Sequence, residues 1–264
     1  MKHINKIIFV HSNIIKGLRI VHEAGQLIDR NNIYRGLTDF LGGLSSQSSD
    51  GIIFPAFNYD YCKTGFFRPN KDPVQVGALP EWVRKNFKFV RSHMPVFSVL
   101  SSVKANFVCN QITNPFGKGS IFDWLVDKDA SIVLFGADLS SLTFVHYVEE
   151  MSGMPIYRYD KVFHGKILTE SKNIVCKFKM HVRPKGINSE YDWPKLESDL
   201  LNAGILKIYK GSNYLKILNT HDLLDYWIKK ISIDPFYLLD AASKDIFKRL
   251  TKNGKHRVKL EDFE

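Results

Sequence analysis

Compact apolar runs alternate with helical stripes along the first half of the chain. Ile7-Ile8-Phe9-Val10 is a β-branched and aromatic run that fits a buried strand. His11-Ser12-Asn13 supply the polar residues of a strand-to-helix turn. Helical spacing begins at Leu18, and Ile33, Leu37, Phe40, Leu41 and Leu44 fall on one helix face. Gly42-Gly43 and the polar cluster 45–50 end that helix. Gly51-Ile52-Ile53-Phe54-Pro55 reads as a second buried strand closed by proline. Strand, helix and strand in succession favour a parallel or mixed sheet. Residues 58–78 read as a long loop, a common place for function. Pro80-Glu81-Trp82-Val83 opens a helix, with proline in the first turn and an acid near the positive dipole end.

Further on, 96–103 reads as a strand and 114–119 as a turn-rich insertion before a helix over 122–126. Ser131-Ile132-Val133-Leu134-Phe135-Gly136 is another buried strand. A short loop then leads into a helix over 143–151. Beyond Pro155 the character changes. Residues 157–182 alternate apolar and polar side chains, with Gly165 as the turn, which predicts antiparallel strands. Helices over 193–202 and 223–231 close the chain. With no repeat or linker, residues 1–264 read as a single domain, more antiparallel from about 157.

Composition narrows the class. The 264 residues are 44% hydrophobic, enough for a sizeable core. Cys62, Cys109 and Cys176 are odd in number and widely spaced, so they predict neither a disulfide framework nor a metal pair, and they read as structural. No run of 18 apolar residues predicts a membrane span. The apolar run after the N-terminus is too short for a signal-peptide core, which points to a soluble, cytoplasmic protein. The net charge of +10 favours anionic partners. The basic run over 244–259 reads as a solvated helix end. No zinc-finger spacing or aromatic RNA-binding signature supports nucleic acid as the partner.

The chemistry concentrates in Leu139-Ser140-Ser141-Leu142-Thr143-Phe144-Val145-His146-Tyr147-Val148-Glu149-Glu150. In a helix starting near Thr143, that residue and His146 share a face, with Glu150 one turn on. The helix follows a buried strand, so it opens at the carboxyl edge of the sheet, where α/β sites gather. A histidine there suits a general base, or a packed core position.

Residues 141–149 resemble the threonine–histidine–glutamate motif of the aminoglycoside 3-N-acetyltransferase family. Other segments match in order. They are Val10-His11-Ser12, Ile53-Phe54-Pro55-Ala56-Phe57, Val76-Gly77-Ala78-Leu79-Pro80-Glu81, Arg91-Ser92-His93-Met94-Pro95-Val96-Phe97-Ser98 and Asn114-Pro115-Phe116-Gly117. The similarity spans roughly residues 8–160 and is loose beyond. It implies a three-layer α/β/α sandwich with a mixed, largely parallel central sheet, distinct from the GNAT acetyltransferases. It also implies an acetyl-CoA-dependent N-acetyltransferase without a metal. His146 would take a proton from the acceptor amine as that amine attacks the thioester directly.

Further assignments build on the resemblance and on the residues themselves. The acid that orients His146 is expected after the weakly matching strands, at Asp192 or Glu190 rather than Glu150, with helix capping as the other role open to Asp192. Thr143 is expected either to bond the thioester carbonyl or substrate, or to cap the helix. Coenzyme A is expected along Ser12, Asn13, Lys16 and Gly17, where a helix start favours anions, and along Phe57, Arg91, Ser92, His93 and Ser98. The acceptor side is expected at Tyr59, Tyr61, Phe67, Arg68 and Glu150, with the aromatic-rich loop either stacking a base or sugar or packing on itself. A basic chain gains nothing electrostatically from a polycationic aminoglycoside. A nucleotide-linked, thymidine-type amino-dideoxy sugar destined for surface polysaccharide or lipopolysaccharide fits the charge better. Aminoglycoside acetylation, and a non-catalytic basic binding protein on the same fold, are the alternatives. A homodimer is the assembly compatible with this reading.

Overall fold

The computed structural model describes residues 5–44, 51–102, 113–153, 155–209 and 212–260. Its frame is a seven-stranded sheet in the order β4-β5-β2-β1-β6-β10-β9. The centre is parallel. β1 (Ile8–Ser12) lies between β2 (Ile52–Pro55) and β6 (Ser131–Phe135), and both pairings run the same way. The flanks are antiparallel. β5 (Val99–Ser101) pairs β2 and then β4 (Val90–Arg91), while β10 (Leu215–Asn219) pairs β6 and then β9 (Leu206–Ile208).

Strand alternation divides two apolar layers, because successive side chains point to opposite faces. Ile8, Val10, Ile52, Phe54, Val133 and Phe135 meet α1 (Ile14–Glu23), α2 (Ile33–Leu44) and α4 (Ala78–Asn86) on one face. Phe9, Ile53, Ile132 and Leu134 meet α5 (Ile121–Asp127), α6 (Phe144–Met151), α7 (Trp193–Asn202) and α8 (Thr220–Ile233) on the other. This is the three-layer α/β/α sandwich that the resemblance implies. Gly17 of α1 lies hard against β6, where an added Cβ would stand 2.6 Å from the Phe135 ring.

The loop over 58–78 carries two short elements, α3 (Tyr61–Thr64) and β3 (Phe66–Phe67). β3 joins a separate three-stranded sheet, β3-β7-β8, formed with β7 (Tyr159–Leu168) and β8 (Asn173–Val182). The hairpin reverses at 169–172, where Thr169 N donates to Lys172 O. Gly165 is therefore not the turn. It sits inside β7 opposite Cys176, so close to the backbone of Gly65 that a Cβ would lie 2.1 Å from its carbonyl oxygen. The glycine marks a close approach of two backbones. β9, β10 and α9 (Ala241–Leu250) are additions to the sequence reading. The Cys109 position and the end of the 96–103 segment lie outside the described residues. Among the described residues, no helix is long and apolar enough to cross a membrane.

Candidate active site

The parallel centre of the sheet delivers the site. β6 ends at Phe135, a 3-10 turn follows over Leu139–Ser141, and α6 begins at Phe144. Thr143 takes the position before the helix, yet its side chain makes no capping bond. Its Oγ1 donates to Ser141 O at 3.5 Å. His146 follows in the first turn of α6, with its ring 5.1 Å from that of Phe116.

The partner of His146 is Glu149. The imidazole Nδ1 lies 2.9 Å from Glu149 Oε2 across one helical turn. Glu149 is fully buried and has every lone pair engaged. Its Oε1 accepts from Tyr191 Oη at 2.6 Å, Tyr157 Oη at 2.8 Å and Arg158 Nε at 3.2 Å. Its Oε2 also receives His181 Nε2, from β8, at 3.1 Å. The second ring nitrogen of His181 meets Glu150 Oε2 at 3.1 Å, and Asn114 Nδ2 donates to Glu150 Oε1 at 2.8 Å.

Electrostatics follow from this crowding. Burial alone would raise the Glu149 carboxyl, but Arg158 and the two histidines overcome it and hold it well below the usual carboxylate range. Burial acts on His146 in the other direction, against its cation. Although the Glu149 bond opposes that, its pKa falls to about 4. His146 is therefore neutral at physiological pH. With Nδ1–H donated to Glu149, the lone pair is on Nε2. That atom has no protein partner among the described residues, and the side chain is 23% exposed. An oriented neutral base with one free lone pair is what proton abstraction from an attacking nucleophile requires. His146, Glu149 and His181 also bring three potential metal-ligand atoms within 4.8 Å. Those atoms already hydrogen-bond one another beside the Arg158 cation, a donor set arranged as a network rather than a cation cage.

The other expected residues divide sharply. Asp192 accepts from Lys195 N at 3.1 Å and caps α7, while Glu190 pairs with Arg183 at 3.1 Å on the surface. Neither carboxylate reaches His146, which replaces the expected orienting acid with Glu149. The i, i+3 spacing of His146 and Glu149 was the available signal. A carboxylate one turn along is brought back to the ring here because two tyrosines and Arg158 fix its far oxygen. Glu150 lies in the network through His181 and Asn114. His181, Tyr157, Arg158 and Tyr191 were not singled out, since each stands alone in the sequence and only the fold gathers them.

The expected coenzyme residues lie at strand ends and at the start of α1, most with their polar groups engaged, although His93 Nδ1 is buried with no partner among the described residues. Ser12 ends β1, and Asn13 Oδ1 accepts from Lys16 N at 3.2 Å to cap α1. Lys16 pairs with Asp138 at 2.8 Å. Arg91 is buried. It donates to the carbonyls of Ala56, Pro69 and Asp72 and to Ser98 Oγ, with its guanidinium over Phe67. Ser98 in turn donates to Ala56 O at 2.6 Å, and Ser92 Oγ accepts from Val99 N at 2.9 Å. Phe57 is buried beside Phe97.

On the expected acceptor side, Tyr61 and Phe67 are core residues, with Tyr61 stacked on Phe178, so neither ring offers a face for stacking a base. Burying a ring outweighs leaving it in solvent. Tyr59 is exposed. Arg68, Lys71 and His93 line one small cavity of about 160 Å³.

The sequence model of the aminoglycoside 3-N-acetyltransferase family matches residues 54–232, and the chain belongs to that family of N-acetyltransferases. Solved structures share the fold at low identity. The aminoglycoside acetyltransferase AAC(3)-Xa superposes with a TM-score of 0.64 at 15% identity, covering 89% of this chain and 88% of its own. AAC-IIIb, solved as a binary complex with CoASH, gives 0.64 at 16% identity, covering 86% and 90%. The YokD protein from Bacillus subtilis gives 0.60 at 14% identity, covering 95% and 90%. No curated protein matches the chain.

Proposed function

We propose that the protein transfers acetyl from acetyl-CoA to the amine of a nucleotide-linked amino-dideoxy sugar, with His146 as the general base. The observation that carries this reading is His146 itself, neutral, oriented by Glu149 through Nδ1 and free at Nε2. A sugar amine has a pKa of roughly 8, and its neutral fraction is the nucleophile. As nitrogen bonds to the thioester carbon it becomes strongly acidic, and Nε2 takes the proton. The carbon–sulfur bond then breaks, and the imidazolium returns that proton to the departing sulfur. One N–C bond replaces one C–S bond, with no acyl-enzyme. Thr143, at the mouth of the same helix, is the hydroxyl proposed to bond the thioester carbonyl or the acceptor. Residues 1–264 act as one catalytic domain, a reading supported by β9 and β10 entering the same sheet as β1.

The anionic acceptor is supported by the +10 charge and by the cavity where Arg68, Lys71 and His93 outnumber one acid, Glu170, in a space roomy enough for a phosphate group. A second reading, aminoglycoside acetylation, is favoured by the solved relatives, one of which was determined with apramycin. Thiol release from acetyl-CoA, measured over nucleotide-linked 3-amino and 4-amino sugars and a set of aminoglycosides, separates the two. Nucleotide sugars are expected to give the higher kcat/KM, falling as salt rises. An aminoglycoside ahead by a wide margin replaces the first reading with the second. His146→Ala is expected to lose 10²- to 10⁴-fold in turnover, the usual scale for a general base. Near-full turnover removes His146 from that role.

A further inference from the structure

His181 is not needed to orient His146, since Glu149 and Tyr191 already contact Nδ1. Yet its side chain is fully buried, and each ring nitrogen rests on a different carboxylate oxygen. A neutral imidazole has one N–H and can satisfy only one such acceptor. A carboxylate oxygen accepting at each ring nitrogen requires two N–H groups, and therefore an imidazolium. We propose that His181 is a permanently charged positioning residue, held between Glu149 and Glu150, that keeps the neighbouring His146 neutral and makes its conjugate acid a ready proton donor to the departing thiolate. The proposal rests on the acetyl-transfer reading for its purpose but not for its electrostatics.

The geometry supplies two routes for this influence. Glu149 Oε2 is shared by His146 Nδ1 and His181 Nε2, so the oxygen that would stabilise a protonated His146 is already bonded to a cation. The two rings also stand 5.8 Å apart at their centroids, and like charges at that range disfavour each other. α6 contributes Glu149 and Glu150. The segment after it contributes Tyr157 and Arg158. β7 places Asp160 opposite His181 in register, but its carboxylate is engaged by Lys179 and Arg257. Tyr191 lies ahead of α7, and Arg183 stacks on its ring. Arg158 offsets Glu149, leaving Glu150 to offset His181. Burial works against the His181 cation, but its two carboxylate bonds outweigh it, and its pKa is raised.

Two measurements test this, and only the rate profile in the second requires turnover. In protein labelled with nitrogen-15 at histidine, His181 is expected to show two bonded N–H protons and imidazolium nitrogen shifts at pH 7.5. A neutral His181 with one N–H overturns the proposal, and this reading needs no variant to fold. In His181→Gln, the His146 titration and the acid limb of the kcat/KM profile are expected to move up together, by about one pH unit. A purely structural role would lower stability or rate and leave both unmoved, which likewise overturns the proposal. If wild-type protein transfers no acetyl group yet the His146 resonance moves as expected, the acetyl-transfer reading fails and the His181 assignment stands.

Discussion

Arg91 and Arg158 are both buried at strand and helix ends, and their surroundings differ in one respect. Arg91 faces backbone carbonyls and a serine hydroxyl, with no carboxylate bonded to it. Burial pulls its pKa down to about 10. Arg158 meets the same burial, but Glu149 and two tyrosine hydroxyls more than compensate, and its pKa rises. The first arginine ties a loop to the sheet. It joins β4 to Ala56 at the end of β2 and to Pro69 and Asp72 of the following loop through one planar donor group. The second is half of a charge pair that keeps the carboxylate bonded to His146 ionised. A buried cation by itself therefore says little about function. The distinguishing feature is whether an anion shares the burial, and whether a titratable base is bonded to that anion.

The largest expected effect that tests this contrast comes from Arg158→Met. It leaves Glu149 buried without its cation, which typically costs about 3–5 kcal/mol. Denaturant melts check the cost. The His146 titration should also move up, because a nearby positive charge is lost. A loss under 1 kcal/mol would erase the distinction between the two arginines. His11 extends the comparison to histidines. Unlike His181 it has no carboxylate, its Nε2 has no partner among the described residues, and burial lowers its pKa to about 4. The unfolded chain therefore binds a proton that the fold refuses. That stability is present above about pH 6.5 and is lost as pH falls towards 4, by up to about 3 kcal/mol. Melting temperature against pH should fall over that window, and His11→Leu should flatten the fall, leaving a smaller slope from His146.

Next comes Arg91→Met. It frees four acceptors but strands no charge, so a loss of about 1–3 kcal/mol is expected, with the acid limb of the rate profile unmoved. A shifted limb would join Arg91 to the His146 network. The smallest effect belongs to Asp192→Asn. Asparagine is also a good cap, so less than about 1 kcal/mol should be lost and the rate should hold. A large fall in rate with normal melting would return Asp192 to the site.

The difference between these regions also marks where the sequence was legible. The runs at β1, β2 and β6 stand out because strands buried on both faces carry near-continuous apolar runs, and α2 shows its stripe plainly. β9 and β10 are short and carry Lys207 and Lys216 among their apolar residues, so no run marks them. Gly165 resembled a turn because glycine is the usual turn residue. Its actual reason, a backbone crossing at Gly65, is tertiary. His146 was legible from its place after a buried strand. Glu149 was visible within the same motif but ambiguous, because its orientation depends on Tyr157, Arg158 and Tyr191, which approach from other segments. His181 carried no local mark at all.

The three-stranded sheet β3-β7-β8 has a consequence for the order of folding. β7 and β8 are joined by a tight reversal, so their pairing closes a short loop and belongs to the fast, microsecond class of hairpin events. β3 must then find β7 from a hundred residues away, pairing Phe66 with Lys166, and β6 must slot beside β1 across a comparable stretch. Such distant pairings carry a larger closure entropy and are slow. The hairpin therefore brings His181 forward early, while α6, which follows β6, arrives with the central sheet. The His146–Glu149–His181 cluster is completed only at the slowest event of assembly, and pulse-labelled amide exchange during refolding should protect the β7–β8 amides before those of β1 and β6.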